Sequence, residues 1–86
     1  MGLSTLTVES RAQKVWFDEF SIWVMFTDGR QLSVPLAYFP RLHNATPEQR
    51  NNFEMSGGGI GLHWDELDED IHVPGLLLGR YARQAS

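Results

Sequence analysis

The chain reads as an α+β domain: a three- or four-stranded, mainly antiparallel sheet with one surface helix and a short C-terminal helix. Three stretches predict this. Apolar and aromatic residues alternate from Gln13 to Leu36, a capped helix start stands at Thr46-Pro47, and a second alternating run, Ile60 to Trp64, leads to a proline and three leucines. Eighty-six residues hold one core and leave no room for a second. The domain is placed over 12–80, with an N-terminal arm or edge strand over 1–11 and a tail over 81–86.

In the first alternating run, Val15 and Phe17 alternate with Lys14, Trp16 and Asp18. Phe20, Ile22, Val24 and Phe26 follow at period two, opposed by Ser21, Trp23, Met25 and Thr27. β-Branched and aromatic content favours strand. Asp18-Glu19 fits a turn between the two strands. Asp28-Gly29 is the stronger signal, read as a type I′ hairpin in which both central residues take positive φ. Leu32 and Val34 make the inner face of the next strand, which Pro35 ends or confines to an edge. The second strand is apolar on both faces, which suits a strand covered on both sides.

Residues 36–42, LAYFPRL, read as a short turn or helical piece delivering Tyr38, Phe39 and Leu42 to the core. Thr46 as N-cap, Pro47 at N1 and Gln49 at N3 form a capping-box pattern, with Glu48 suiting the first turn. The helix is expected from Pro47 to about Met55, anchored by Phe53, and ended by Ser56-Gly57-Gly58-Gly59. Ile60, Leu62 and Trp64 then form a strand with Trp64 in the core. Pro74 opens the short last helix, its leucines Leu76, Leu77 and Leu78 packing inward.

Composition narrows the chemistry. With no cysteine there is no disulfide framework, thiolate nucleophile or cysteine-ligated metal. No apolar run approaches the roughly 20 residues of a membrane span. The opening MGLSTLTVES lacks the layout of a signal peptide, so a cytoplasmic protein is expected. The net charge of −4 is local: five of the eleven acids, Asp65, Glu66, Asp68, Glu69 and Asp70, lie within residues 65–70. Without them seven cations face six anions, and a generally acidic chain does not suit nucleic acid by itself.

Like charges this close repel, so residues 65–70 are read as a solvated turn or a surface shown to something positive. As a turn, Asp68 or Asp70 would cap the following element. As a surface, it would meet a protein partner offering Arg or Lys. A divalent cation is the third reading, though the EF-hand template fails for want of Gly at its sixth position and Glu at its twelfth.

His63 and His72 with Asp65 or Asp70 could make a metal or acid–base site, but the spacing matches no ligand motif and a structural role has precedence. His43 carries no signal. Trp16, Trp23 and Met25 fall opposite the best apolar phase, as an exposed partner patch or a face beneath a helix. Gly57, Gly58, Gly59 and Gly61 fit neither the dinucleotide nor the P-loop template, and no nucleophile elbow is present. Arg30 is expected to pair with the acidic turn if the hairpin folds over it.

The segments FTDGRQLSVPLAYFPRL, ATPEQR and GGIGLHWDELDEDIHVPGLLLGR occur in this order and span roughly residues 12–80. They resemble a family of small bacterial proteins catalogued only as a domain of unknown function, with a DGR-type hairpin, an "fPRL" turn, an "AtpeqR" helix and an "iHWpeLDEDisvegLL" ending. The sequence departs from that pattern at Asp65, where proline is common, and at Pro74, where glutamate is common. The resemblance implies an α+β domain, often encoded beside another small protein. Such pairs have been suggested to be toxin–antitoxin modules.

Together these readings point to a non-enzymatic protein-interaction module, the antitoxin-like member of such a pair. It would bind another small protein through Asp65, Glu66, Asp68, Glu69 and Asp70, with Trp16, Trp23 and Met25 as an apolar contact. No cofactor, metal or membrane is implied. The alternatives are a metal-dependent or acid–base enzyme on His63, Asp65 and His72, and a DNA-binding regulator using the arginines.

Overall fold

The computed structural model describes residues 10–79. Apart from residues 10 and 11, the arm or edge strand expected over 1–11 lies outside the described residues, as does the tail over 81–86. Within them the antiparallel α+β class holds, and the strands are divided between two three-stranded sheets. Strands β1 (Ala12–Phe17), β2 (Ser21–Phe26) and β3 (Gln31–Pro35) form the first, in the order β1-β2-β3. Strands β4 (Glu54–Ser56), β5 (Gly61–Trp64) and β6 (Glu69–His72) form the second. A 3-10 turn at Leu36–Tyr38 and helices α1 (Pro40–His43) and α2 (Pro47–Asn51) connect the sheets, and α3 (Val73–Leu77) follows β6.

Register explains the burial. Val15 lies opposite Val24 and Phe17 opposite Ile22, while Ile22 and Val24 meet Val34 and Leu32 on β3. These residues share the inner face. A bulge between Ala12 and Lys14 shifts the register so that buried Ala12 pairs with Phe26. The Ala12 N–H donates to the Gly59 carbonyl at 2.8 Å, which ties the first sheet to the β4–β5 turn.

Two turn expectations change in detail. Asp18 accepts the Phe20 and Ser21 N–H groups at 3.0 and 2.8 Å, an arrangement typical of aspartate at turns. Strand β2 therefore begins at Ser21, and Phe20, expected on the inner face, is 72% exposed. The Asp28-Gly29 hairpin is present, but not as type I′. Gly29 has φ +94°, whereas Asp28 does not enter positive φ. Gly29 N–H bonds Phe26 O and Phe26 N–H bonds Arg30 O, the pattern of a type I turn closed by a glycine bulge.

The Thr46–Gln49 capping box forms as the sequence indicates, with both reciprocal bonds in place. The helix it opens ends at Asn51 instead of near Met55. None of its residues is buried, so nothing in the core rewards its continuation past Asn51-Asn52. Glu54–Ser56 instead pair with Gly61–His63 across a turn in which Gly57, Gly58 and Gly59 all have positive φ. The glycines thus close a hairpin rather than end a helix. A Cβ at Gly59, where φ is +106°, would overlap the Ala12 backbone.

The inner faces of both sheets and the connecting segment share one core. Leu36, Phe39 and Leu42 are buried and Tyr38 half-buried beside Ile22, Val24, Phe26, Leu62, Ile71 and Val73. Trp64 is fully buried at the junction: Phe17 meets it edge-on at 6.5 Å and Phe53 lies 5.7 Å away. Its indole N–H donates to the Arg50 carbonyl at 2.8 Å, giving this buried donor the partner it requires. In α3 only Leu76 of the leucine run turns inward. Leu77 and Leu78, expected in the core, are 36% and 67% exposed because the short helix presents Val73, Gly75 and Leu76 to it. No helix of the described residues is long and apolar enough to cross a membrane.

Trp64→Ala is expected to cost about 3–5 kcal/mol, a large share of a small domain's stability. Trp64→Phe should cost less while leaving the Arg50 carbonyl without its donor. Gly59→Ala should lose more than about 1 kcal/mol through positive φ and overlap with Ala12. Urea midpoints measure all three, and wild-type midpoints would contradict the central place given to these residues.

Candidate functional site

The acidic segment bridges β5 and β6. Asp68 N–H reaches Asp65 O at 3.3 Å, and Asp68, with φ +54°, is the non-glycine residue in the left-handed region among the described residues. Aspartate tolerates that conformation better than most. Glu69 and Asp70 already belong to β6, where alternation sends them to opposite faces. The five carboxylates therefore do not form one patch.

Each is treated differently. The Asp65 side chain is fully exposed. Glu66 accepts from Gln49 Nε2 of α2 at 2.9 Å. The Arg41 guanidinium of α1 donates to the Asp68 carbonyl, and its Nη1 lies 3.9 Å from Glu69 Oε1. Asp70 Oδ1 stands 2.5 Å from His63 Nδ1, directly across the β5–β6 ladder. Half-buried Leu67 pins the turn to the core. Neither Asp68 nor Asp70 caps the next helix: His72 holds the N-cap position of α3 and makes no side-chain cap bond.

Glu69 pairs with Trp64 on the inner face, and its side chain is only 14% exposed. Burial pushes its carboxyl above the usual carboxylate range. Arg41 opposes that shift, while Asp70 and Asp68 add to it. Chiefly through the bond to Asp70, with a further contribution from Asp65, His63 is held above its ordinary value although desolvation works against it.

The histidines separate. His63 is brought to Asp70 and, through Nε2, to within 3.5 Å of Asp65 Oδ1. His72 pairs with Gly61, one rung along the same face, and forms no cluster with His63 and Asp65. Among the described residues no three His, Asp or Glu side chains are grouped to hold a metal ion. Arg30 does not reach the acidic turn. Its Nε lies 2.8 Å from Asp28 Oδ2 and its guanidinium sits 5.5 Å over Phe26, because the carboxylate two residues back is the nearer partner.

The second candidate surface is the outer face of the first sheet. Trp16 and Trp23 are cross-strand partners whose rings stack nearly parallel, 7° apart in plane and 5.9 Å between centroids. The Lys14 ammonium lies 5.6 Å from the Trp16 centroid, and Trp23 Nε1–H donates to Asp18 Oδ2 at 2.8 Å. That bond, with those from Phe20 and Ser21, holds the Asp18 carboxyl low. Met25 is half-buried opposite Lys14. Lys14, Gln31, Ser33 and Pro35 around them are exposed, so the sheet presents this face to solvent. Among the described residues, the covering expected on both sides of β2 is present on one.

The sequence places Asp18 in the turn between β1 and β2 but does not reveal its bond to the Trp23 indole. It gives no sign of Arg41 or Gln49 as organisers of the acidic turn. Arg41 and Gln49 act across 27 and 17 residues, separations that no local pattern encodes.

Because Glu69 is raised by burial, its ionisation opposes folding: the domain is favoured below the unfolded carboxylate value and loses that advantage as pH rises through the folded one. Glu69→Gln should therefore leave the urea midpoint at pH 7 unchanged or higher. Arg41→Gln should raise the Glu69 titration further, read by side-chain carboxyl NMR. A large drop for Glu69→Gln would show that the contact to Arg41 outweighs desolvation.

The DUF2442 family, described as a protein of unknown function, matches residues 12–82. A protein of unknown function from Rhodospirillum rubrum ATCC 11170, known from its crystal structure, is 34% identical with a TM-score of 0.69. That match covers 80% of this chain and 86% of the other. The solution structure of an uncharacterised protein from Chromobacterium violaceum is 25% identical with a TM-score of 0.68, over 94% of this chain and 84% of that one. No curated protein matches. With most of its length, both sheets included, inside the family's pattern, this chain belongs to the DUF2442 family of proteins of unknown function.

Proposed function

We propose that the protein is a non-enzymatic protein-interaction module whose partner is another small protein, as the antitoxin-like member of a gene pair. One observation carries the reading: the stacked Trp16–Trp23 pair stands with Met25 on a solvent-facing sheet. Tryptophan and methionine are enriched at protein interfaces, and tryptophan is prominent among the residues that dominate binding energy. Cross-strand stacking also stabilises the hairpin, by about 0.5–1.5 kcal/mol. Fold stability does not require both rings on the solvated face, where β-branched residues serve a strand equally well.

The acidic turn has a secondary part in this reading. Its outward groups without a cationic partner on another element are Asp65, Glu66 and Asp68. Glu69 faces inward beside Arg41 of α1, and the exposed Asp70 is bound to His63. Charges of this kind steer approach and orientation more than they add affinity. An acid–base enzyme is less favoured, because His63 and its carboxylates stand on an exposed strand face, its side chain 38% accessible. DNA binding is less favoured too. Arg30, Arg41 and Arg50 each bind groups within the domain, which breaks up any continuous basic face among the described residues.

The test is binding to the purified product of the adjacent gene, measured by calorimetry and by association kinetics. Trp16→Thr with Trp23→Thr should weaken affinity at least about tenfold, or 1.4 kcal/mol. Asp65→Asn, Glu66→Gln and Asp68→Asn together should mainly slow association and flatten its salt dependence. Undiminished affinity in a folded tryptophan variant would remove this surface, and absence of binding by wild type would remove the gene-pair role.

A further inference from the structure

The two ring nitrogens of His63 face two different carboxylates. Nδ1 lies 2.5 Å from Asp70 Oδ1 on β6, and Nε2 lies 3.5 Å from Asp65 Oδ1 at the start of the turn. An ionised carboxylate only accepts hydrogen bonds, and a neutral imidazole donates from one nitrogen alone. Both contacts are favourable together only when the ring is protonated: Nδ1–H then bonds Asp70, and the charged ring attracts Asp65 at ion-pair distance. The arrangement is therefore that of an imidazolium clamped across the mouth of the hairpin.

We propose that His63 is a proton-sensitive latch on the β5–β6 hairpin: its charged ring holds Asp65 to Asp70, and loss of its proton frees Asp65 and makes that face one charge more negative. The asymmetry of the two contacts decides which is lost. The shorter bond keeps the remaining proton on Nδ1, leaving an Nε2 lone pair toward the Asp65 carboxylate. Asp65 is fully exposed, so it turns into water at little cost.

The other groups around the ring agree in sign. Glu54 on β4 is the register partner of His63 on its opposite side, and His72 lies one rung along the same face on β6. Asp70 and Asp65 are the carboxylates at the ring, and together they hold His63 above its ordinary value. With a folded value above the unfolded one near 6.5, the latch stabilises fully below the unfolded value. That contribution is lost as pH rises through the folded value. The latch depends on the hairpin geometry alone and stands whether or not the turn meets a partner.

Two-dimensional NMR of the imidazole rings and backbone amides, from about pH 5 to about pH 9, tests it. In wild type the Asp65 and Glu66 amides should move with the His63 midpoint. Asp65→Asn should lower that midpoint, Asp70→Asn should lower it further, and His72→Asn should leave it in place. Asp65 and Asp70 are exposed, so the variants should keep the wild-type core spectrum. A His63 midpoint unmoved by Asp65→Asn, or amides of 65–66 that follow only the carboxylate range, would overturn the latch.

Discussion

The indole of Trp64 is where the parts of this domain meet. It enters from β5, packs on Phe17 of the first sheet and on Phe53, and bonds the last turn of α2 through the Arg50 carbonyl. Arg50 in turn donates to the Leu42 and His43 carbonyls at 2.7 and 2.9 Å, satisfying the end of α1. Two helices of four and five residues could not persist by themselves. They persist because one buried ring and one guanidinium give their orphan backbone groups partners.

The acidic segment shows how local structure disperses a charge cluster. Alternation along β6 separates Glu69 from Asp70, and the left-handed Asp68 turns the chain between them and Asp65. Each of α1, α2 and β5 then supplies a donor: Arg41, Gln49 and His63. What reads in sequence as one anionic patch is, in space, one inward acid, Glu69, and four exposed ones, of which Glu66 is bonded to Gln49 and Asp70 to His63.

Much of the architecture is legible because its signals are local. Period-two alternation, the Asp-Gly turn, the Thr46 capping box and the core position of Trp64 each rest on neighbours a few residues away. The β4 strand was hidden because Phe53-Glu54-Met55 follows a true helix start, and the strand forms only against Gly61–His63. Leu77 and Leu78 misled because three consecutive leucines cannot all face one side of a helix. At the candidate surfaces, residue types and the Trp16–Trp23 phase were visible in sequence. Whether that face was covered, and that Arg41 rather than Arg30 meets the acidic turn, depended on how separate elements dock.

Both sheets are meanders in which every strand pairs with its neighbour in sequence. The connections within them span only residues 18–20, 27–30, 57–60 and 65–68. Closing loops of that size carries a small entropic cost, and isolated hairpins form within about 1–10 μs. The long-range contacts are concentrated where one meander docks on the other, at Ala12 with Gly59 and at the indole with its ring neighbours. Contacts that are otherwise local in sequence favour a fast search, so the folding rate is expected to depend on that one encounter.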